Sequence, residues 1–268
     1  MPEGPEVKQM SINISERIKN EEIKEISVIG GKWIKKPIPN LQDFQKDLPS
    51  KVKNVGVKGK SIQIYLENGW TIWNTLGMSG GWKDNQGKHS HLSILTDKGK
   101  KIWFDDVRRF GNIILIKDNK ELERRLNGIG PDLLNENVTL EQFSEIIKKG
   151  NKKHICRVLM DQTVISGIGN YLKSEVLYRA KISPWRLCKD ISEQEMKDLY
   201  DYSILIINKS FDQGGATLAT YSDMDGKRGD FVFSFMVYKK ETCPMGYTIK
   251  RETTSDKRTT HWVPEIQK

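Results

Sequence analysis

HICRVLMDQTVISGIGNYLKSEVLYRAKISP, residues 154–184, is the stretch whose reading decides the fold. Helical periodicity on either side of Gly167-Ile168-Gly169 predicts helices at about 154–161 and 170–179 with tight turns between them. The glycines let backbone approach a phosphate, and Asn170 opens the second helix, whose N-terminal N–H groups favour an anion. Gly-Ile-Gly alone carries little weight, because turns of this kind are common. Two more helices are predicted around this pair, at about 139–149 and 192–211. Upstream of them GIGPDLL makes a Gly/Pro break near 128–134, read as the connection between two domains.

The first half of the chain has a different rhythm. Val7, Met10, Ile14 and Ile18 fall on one face of a helix predicted over 6–20. From 22 to 116 short alternating or apolar runs (EIKEISVIG, SIQIYLENG, HLSILTD, GNIILIKD) are punctuated by Gly, Asn and Asp turns, the pattern of antiparallel β structure. The fold class is therefore α+β. An N-terminal β-sandwich or flattened barrel with flanking helices occupies 1–118, a linker 119–131, and a helical domain 132–268. That domain closes in a β-hairpin, TIKRETTSDKRTTHWV, within about 237–268.

Forty-four Lys+Arg against 35 Asp+Glu give a formal charge of +9, which suits a polyanionic partner such as nucleic acid but equally an ordinary soluble surface. Cys156, Cys188 and Cys243 are odd in number and lack C-x2-C pairing, so neither a disulfide framework nor a zinc site is indicated. No apolar run reaches the length of a membrane span, and MPEGPEV lacks the basic start and apolar stretch of a secretion signal. The expectation is an intracellular protein of cytoplasm, nucleoid or nucleus, without membrane association.

Pro2 becomes a free secondary amine if Met1 is removed, with a pKa of about 8, so that part of it is unprotonated at neutral pH. Such an amine can displace a base at a sugar C1′ and leave an iminium, which permits strand cleavage by elimination. Glu3 is the adjacent candidate acid/base, and Glu6 lies within one helical turn. A proline near a chain start more often only stiffens it. Tautomerases with an N-terminal proline are small single-motif chains, unlike this one.

What lifts Pro2 above that background is a series of matches in order along the chain. MPEGPEV, VKGK (57–60), LGMSG (76–80), DVRRFG (106–111) and the 154–184 stretch together resemble the Fpg/Nei family, the formamidopyrimidine-DNA glycosylases and endonuclease VIII-like enzymes. The resemblance implies a helix-two-turns-helix motif at about 154–180. It implies catalytic roles for Pro2, Glu3, Glu6 and Lys60, and DNA contacts from Asn170, Arg258, Gly167, Gly169 and Arg109. Met78, Arg108 and Phe110 match the residues that fill the space left by an extruded nucleotide, a task needing an apolar wedge and a donor. Thr75 stands where many relatives carry a phosphate-binding His. Tyr221, Lys227 and Arg228, in GGATLATYSDMDGKRGDF, match a loop over the damaged base.

Most relatives hold one zinc on four cysteines in the terminal hairpin. Here Met245, Thr248, Val263 and Ile266 fall at those positions, and Cys243 and His261 lie near but not on them, so a zincless finger is expected. GIGNYL and Cys156, where bacterial Fpg usually has Lys, look closer to the endonuclease VIII-like branch. The implied activity is a bifunctional glycosylase and abasic-site lyase working through a Pro2 Schiff base on oxidised pyrimidines, ring-opened purines and hydantoins. No metal or cofactor is expected; the partner is damaged DNA, duplex or single-stranded, and the protein a monomer. A DNA-binding relative without catalysis and a lyase limited to abasic sites are the competing readings, and retention of both Pro2 and Glu3 argues against the first.

Overall fold

The apolar and alternating runs in the first half build strands, several of them buried on both faces. The computed structural model describes residues 2–216, 224–226 and 229–268. Eight antiparallel strands form the sheet of the first half: β1 (Glu22–Val28), β2 (Ser50–Lys58), β3 (Ser61–Leu66), β4 (Thr71–Thr75), β5 (Gly80–Lys83), β6 (Ser90–Thr96), β7 (Lys101–Asp106) and β8 (Asn112–Ile116). Their order is β5-β7-β6-β1-β2-β3-β4-β8. The seam at β1 and β2 is short, pairing only Glu22 with Lys51 and Ile23 with Ser50. Ile26, Leu92, Ile94 and Phe104 from one side of the seam share a buried cluster with Val52, Ile62, Ile64 and Ile72 from the other. This is the packing expected of a sandwich.

Helix α1 (Gly4–Ile18) buries Val7, Met10, Ile14 and Ile18 in the same cluster. Each such side chain contributes about 1.5–3 kcal/mol relative to exposure. Its other neighbours lie in the second domain, because α1 packs on both β2 and α7 (Glu193–Asp212). The helix begins two residues before the predicted start: Pro5 sits in the first turn, where a missing N–H costs nothing. Its N-terminus is thereby fixed at the junction of the two halves.

Two short helices depart from the sequence reading. Leu41–Lys46 forms α2, which buries Phe44 beneath Trp70 in an edge-on ring contact. Asn119–Asn127 forms α3, capped by the Asp118 carboxylate and packed on β8, so most of the predicted 119–131 linker is helix. Its heavily charged sequence buries no residue, which is why core periodicity did not reveal it.

The second half packs α4 (Leu140–Lys149), α5 (Ile155–Met160), α6 (Asn170–Arg179) and α7 around a separate core that includes Phe143, Leu159, Tyr171, Leu177 and Ile207. Helix α6 is buried almost throughout, including Lys173 and Glu175. The Glu175 carboxylate accepts N–H bonds from Met236, Val237 and Tyr238 and pairs with Arg179. It thus fixes the chain leading into the hairpin β9 (Lys250–Thr253) and β10 (Thr259–Trp262). Among the described residues no helix is long and apolar enough to cross a membrane.

Candidate active site

Two helix N-termini meet at the domain junction. The Gly4 N–H donates to the Gly167 carbonyl (2.8 Å), and Gly167 adopts a left-handed φ of +89° that a side chain would strain. Gly169 leaves room for Glu3, since a Cβ there would lie 2.2 Å from the Glu3 Cδ. Into that space Glu3 sends its carboxylate, which accepts the N–H groups of Tyr171 (2.9 Å) and Leu172 (3.2 Å) at the start of α6.

The sequence reading put a phosphate at this helix start, with Gly167 and Gly169 as DNA contacts. In the structure the same elements also receive the start of α1. The anion held by the Tyr171 and Leu172 amides is Glu3, and the glycines serve the contact between α1 and α6. Asn170 has turned its amide nitrogen to the Thr259 carbonyl (2.9 Å), tying the helix start to β10. That bond uses one of the two N–H donors of the amide.

Glu3 is 2% exposed. Burial pushes its carboxyl up from 4.5 to about 7; Lys60 pulls it down, Glu6 adds to the rise, and the two amides lower it. Glu6 is equally buried, and burial raises its carboxyl too. It accepts the Glu3 N–H (2.7 Å), the Tyr171 hydroxyl (2.8 Å) and the Ala216 N–H (2.6 Å). Ser210 on α7 meets the same Tyr171 hydroxyl (2.9 Å). Glu6 therefore ties together α1, α6 and the segment that follows α7. Pro2, also buried, precedes Glu3 directly.

Lys60 arrives from the turn between β2 and β3. Gly59 takes a φ of +57° there and donates its N–H to Asp132 (2.7 Å), so a residue of the second domain holds the turn. The Lys60 ammonium donates to the Ile168 carbonyl (2.7 Å). Burial lowers its pKa, while Glu3 and Glu6 raise it and Arg258 lowers it. Arg258, exposed near the hairpin tip, is thus within electrostatic reach of Lys60. A proline at the chain start, a buried carboxyl raised toward neutrality and cations from two elements would suit displacement at a carbon beside an anionic group. A cavity of about 720 Å³ bounded by Asn40, Asp47, Trp70 and Glu121 shares no residue with this site.

Met78, Arg108, Arg109 and Phe110 come from two loops, after β4 and after β7. Gly77 (φ +66°) lets the loop backbones touch, because a Cβ there would lie 2.6 Å from the Gly111 nitrogen. Asp106 joins them as well, accepting from Ser79 Oγ (2.5 Å), Arg108 N (3.2 Å) and Gly111 N (2.7 Å). Phe110 is 57% exposed with the Arg108 guanidinium 5.1 Å from its ring centre. Arg109 is exposed at φ +60°, and Met78 is half-buried. Thr75 ends β4 opposite Ser61 and Asn112. Tyr221, Lys227 and Arg228 lie outside the described residues.

Sequence reasoning missed Asp106, Tyr171, Ser210 and Asp132. The aspartate stands in the quoted DVRRFG, and its position before a Gly-closed loop was the available signal; the others act through contacts that have no local pattern.

In the finger, Val263 and Ile266 pack with Tyr178, Val237, Cys243 and Ile249, while Met245 and Thr248 are exposed. These residues do not fit a tetrahedral zinc site: Cys243 belongs to the apolar cluster, and the His261 ring lies 4.8 Å from that of Tyr238.

Known proteins share this arrangement over its full length. Residues 1–113 match the formamidopyrimidine-DNA glycosylase N-terminal domain, 129–222 its H2TH domain and 224–268 its C-terminal domain. The formamidopyrimidine-DNA glycosylase of Bacillus cereus is 30% identical, with 100% of this chain and 99% of that one covered. That of Streptococcus pneumoniae is also 30% identical, at the same coverage. Among solved structures, the MutM (Fpg) protein of Thermus thermophilus superposes with a TM-score of 0.88 at 26% identity, covering 99% of this chain and 98% of that one. Lactococcus lactis Fpg in complex with abasic-site DNA gives 0.86 at 27% identity, with 99% of both chains covered. Sequence and fold agree from one end to the other, and the chain belongs to the formamidopyrimidine-DNA glycosylase family of DNA-repair proteins.

Proposed function

We propose that this chain removes oxidised bases from DNA and then cuts the abasic site, using the Pro2 amine as nucleophile. The observation that carries this reading is Glu3: a buried carboxyl next to Pro2, held at a helix N-terminus yet raised to about 7, so that it exchanges protons at working pH. Once Met1 is gone, the Pro2 nitrogen attacks C1′ and the bond from C1′ to the base breaks. The departing base takes a proton delivered by Glu3. The sugar ring opens as the amine becomes an iminium, C2′ loses a proton, and the 3′ phosphate leaves by β-elimination. A second, δ, elimination releases the 5′ phosphate.

Lys60, Arg258 and the remaining Asn170 N–H bind the phosphates that flank the lesion. Met78, Arg108 and Phe110 fill the space left in the stack, with Arg109 on the same rim. Glu6 positions Glu3. Tyr221, Lys227 and Arg228 are proposed to cover the extruded base. Relatives named for formamidopyrimidine support ring-opened purines as substrates. Oxidised pyrimidines and hydantoins rest on the likeness of GIGNYL and Cys156 to the endonuclease VIII-like branch. The protein acts as a monomer without metal.

The test is strand cleavage by full-length protein lacking Met1, on duplexes carrying ring-opened guanine, thymine glycol, a hydantoin, 8-oxoguanine or an abasic site. The first three and the abasic site should be cut. Cleavage of the abasic duplex alone would reduce the protein to a lyase, and binding without any cleavage would leave it a damage-recognition protein.

A further inference from the structure

A two-stranded ribbon is marginally stable alone, yet this finger carries Arg258 at its tip on residues that do not fit a zinc site. The apolar cluster of Val237, Cys243, Ile249 and Val263 braces its base. Another device braces the tip. Lys173, fully buried on α6, donates to Asp256 Oδ2 (2.5 Å) and to Thr260 Oγ1 (2.8 Å). The second oxygen of Asp256 accepts the Thr254 hydroxyl (2.6 Å) and the Arg258 N–H (3.3 Å). Thr254 and Thr260 hydroxyls are 2.6 Å apart, and the Arg258 carbonyl accepts the Thr254 backbone N–H (3.0 Å). The Arg258 N–H is thus held by Asp256 and its carbonyl by Thr254, the two residues that a buried network ties to Lys173 of α6.

A buried ion pair is a poor source of net stability, since desolvation offsets much of the attraction. Its worth here is geometric. Arg258 and Lys60 are like charges within electrostatic reach of one another, so bringing both to one phosphate calls for a tip held in place. We propose that the pair of Lys173 and Asp256 replaces the finger metal of relatives as the positioning device for Arg258, fixing its backbone so that the guanidinium meets a lesion-flanking phosphate beside Lys60. This rests on the reading of Arg258 as a phosphate ligand.

The test uses the full chain with a free Pro2 and a duplex holding a non-cleavable abasic analogue, its affinity measured from 50 to 200 mM salt. Arg258→Ala should weaken binding about tenfold and lower the slope of log K against log salt by about one counterion. Lys173→Met should lose the same slope and about the same affinity. The double variant should bind no more weakly than Arg258→Ala alone, because the two changes remove one interaction. Lys173→Arg should restore most of it. Should Lys173→Met not fold, the near-isosteric Asp256→Asn is judged by the same criteria. A Lys173→Met or Asp256→Asn protein that keeps the full salt slope, or adds its loss to that of Arg258→Ala, overturns the proposal. An Arg258→Ala protein with unchanged slope instead overturns the phosphate reading beneath it, and the proposal with it.

Discussion

Replacing Glu3 with Gln separates what the buried carboxyl does for catalysis from what it costs the fold. Each Glu3 oxygen accepts one amide at the start of α6, from Tyr171 and Leu172. Gln keeps one acceptor and turns an NH2 toward the other amide, a mismatch of about 1–3 kcal/mol that does not depend on pH. The charge does depend on pH. The net move of this carboxyl from 4.5 to about 7, in which burial outweighs Lys60 and the two amides, corresponds to about 3 kcal/mol. The sign follows from proton counts. Between these values the folded state keeps a proton that the unfolded chain has lost, so wild-type stability is full below 4.5 and falls as pH rises through 7. Gln carries no charge and escapes that loss. Urea unfolding of both proteins at pH 4 and pH 8.5 should therefore show the variant gaining about 3 kcal/mol on the wild type between the two, the amide mismatch cancelling in the difference. Base excision should drop by about 10²–10⁴ while DNA affinity holds. A stability difference that is flat with pH would refute the argument that burial raises Glu3.

Gly169→Ala should place a methyl on the Glu3 carboxylate and lower single-turnover excision at least about a hundredfold; unchanged turnover would show that Glu3 relocates freely. Asp106→Ala unties the Met78 and Phe110 loops. It should weaken binding to lesion duplex more than to undamaged duplex, by about tenfold in a competition assay. Prolonged chelation should leave the thermal midpoint and the cleavage rate unchanged, because Met245, Thr248, Val263 and Ile266 offer no zinc donors; a lowered midpoint would reveal a structural metal.

The elements with strong periodicity were legible: the apolar face Val7, Met10, Ile14 and Ile18, the β alternation and the helices around GIG all carry their burial in their spacing. Helix α3 was not, since a helix that buries no residue has no apolar stripe to read. At the site, residue types were legible but their partners were not. Gly169 looked like a phosphate approach because a glycine before a helix has that meaning locally. It also makes room for a carboxylate far away in sequence, bound at Tyr171 and Leu172, which no local pattern announces. Lys173 has no local sign of its partner either, since only the return of the hairpin onto α6 buries it against Asp256. Contacts of this separation follow from topology and leave no periodic trace.

The central claim is that Pro2 forms the covalent bond. Borohydride reduction of the protein mixed with thymine-glycol duplex, followed by mapping of the crosslinked peptide, tests it directly. The expected result is a stable adduct on the N-terminal peptide at Pro2, absent when Met1 is retained although DNA still binds. Protein shown to lack Met1 that gives no adduct on either base-lesion or abasic duplex, or an adduct mapping to Lys60, would contradict it.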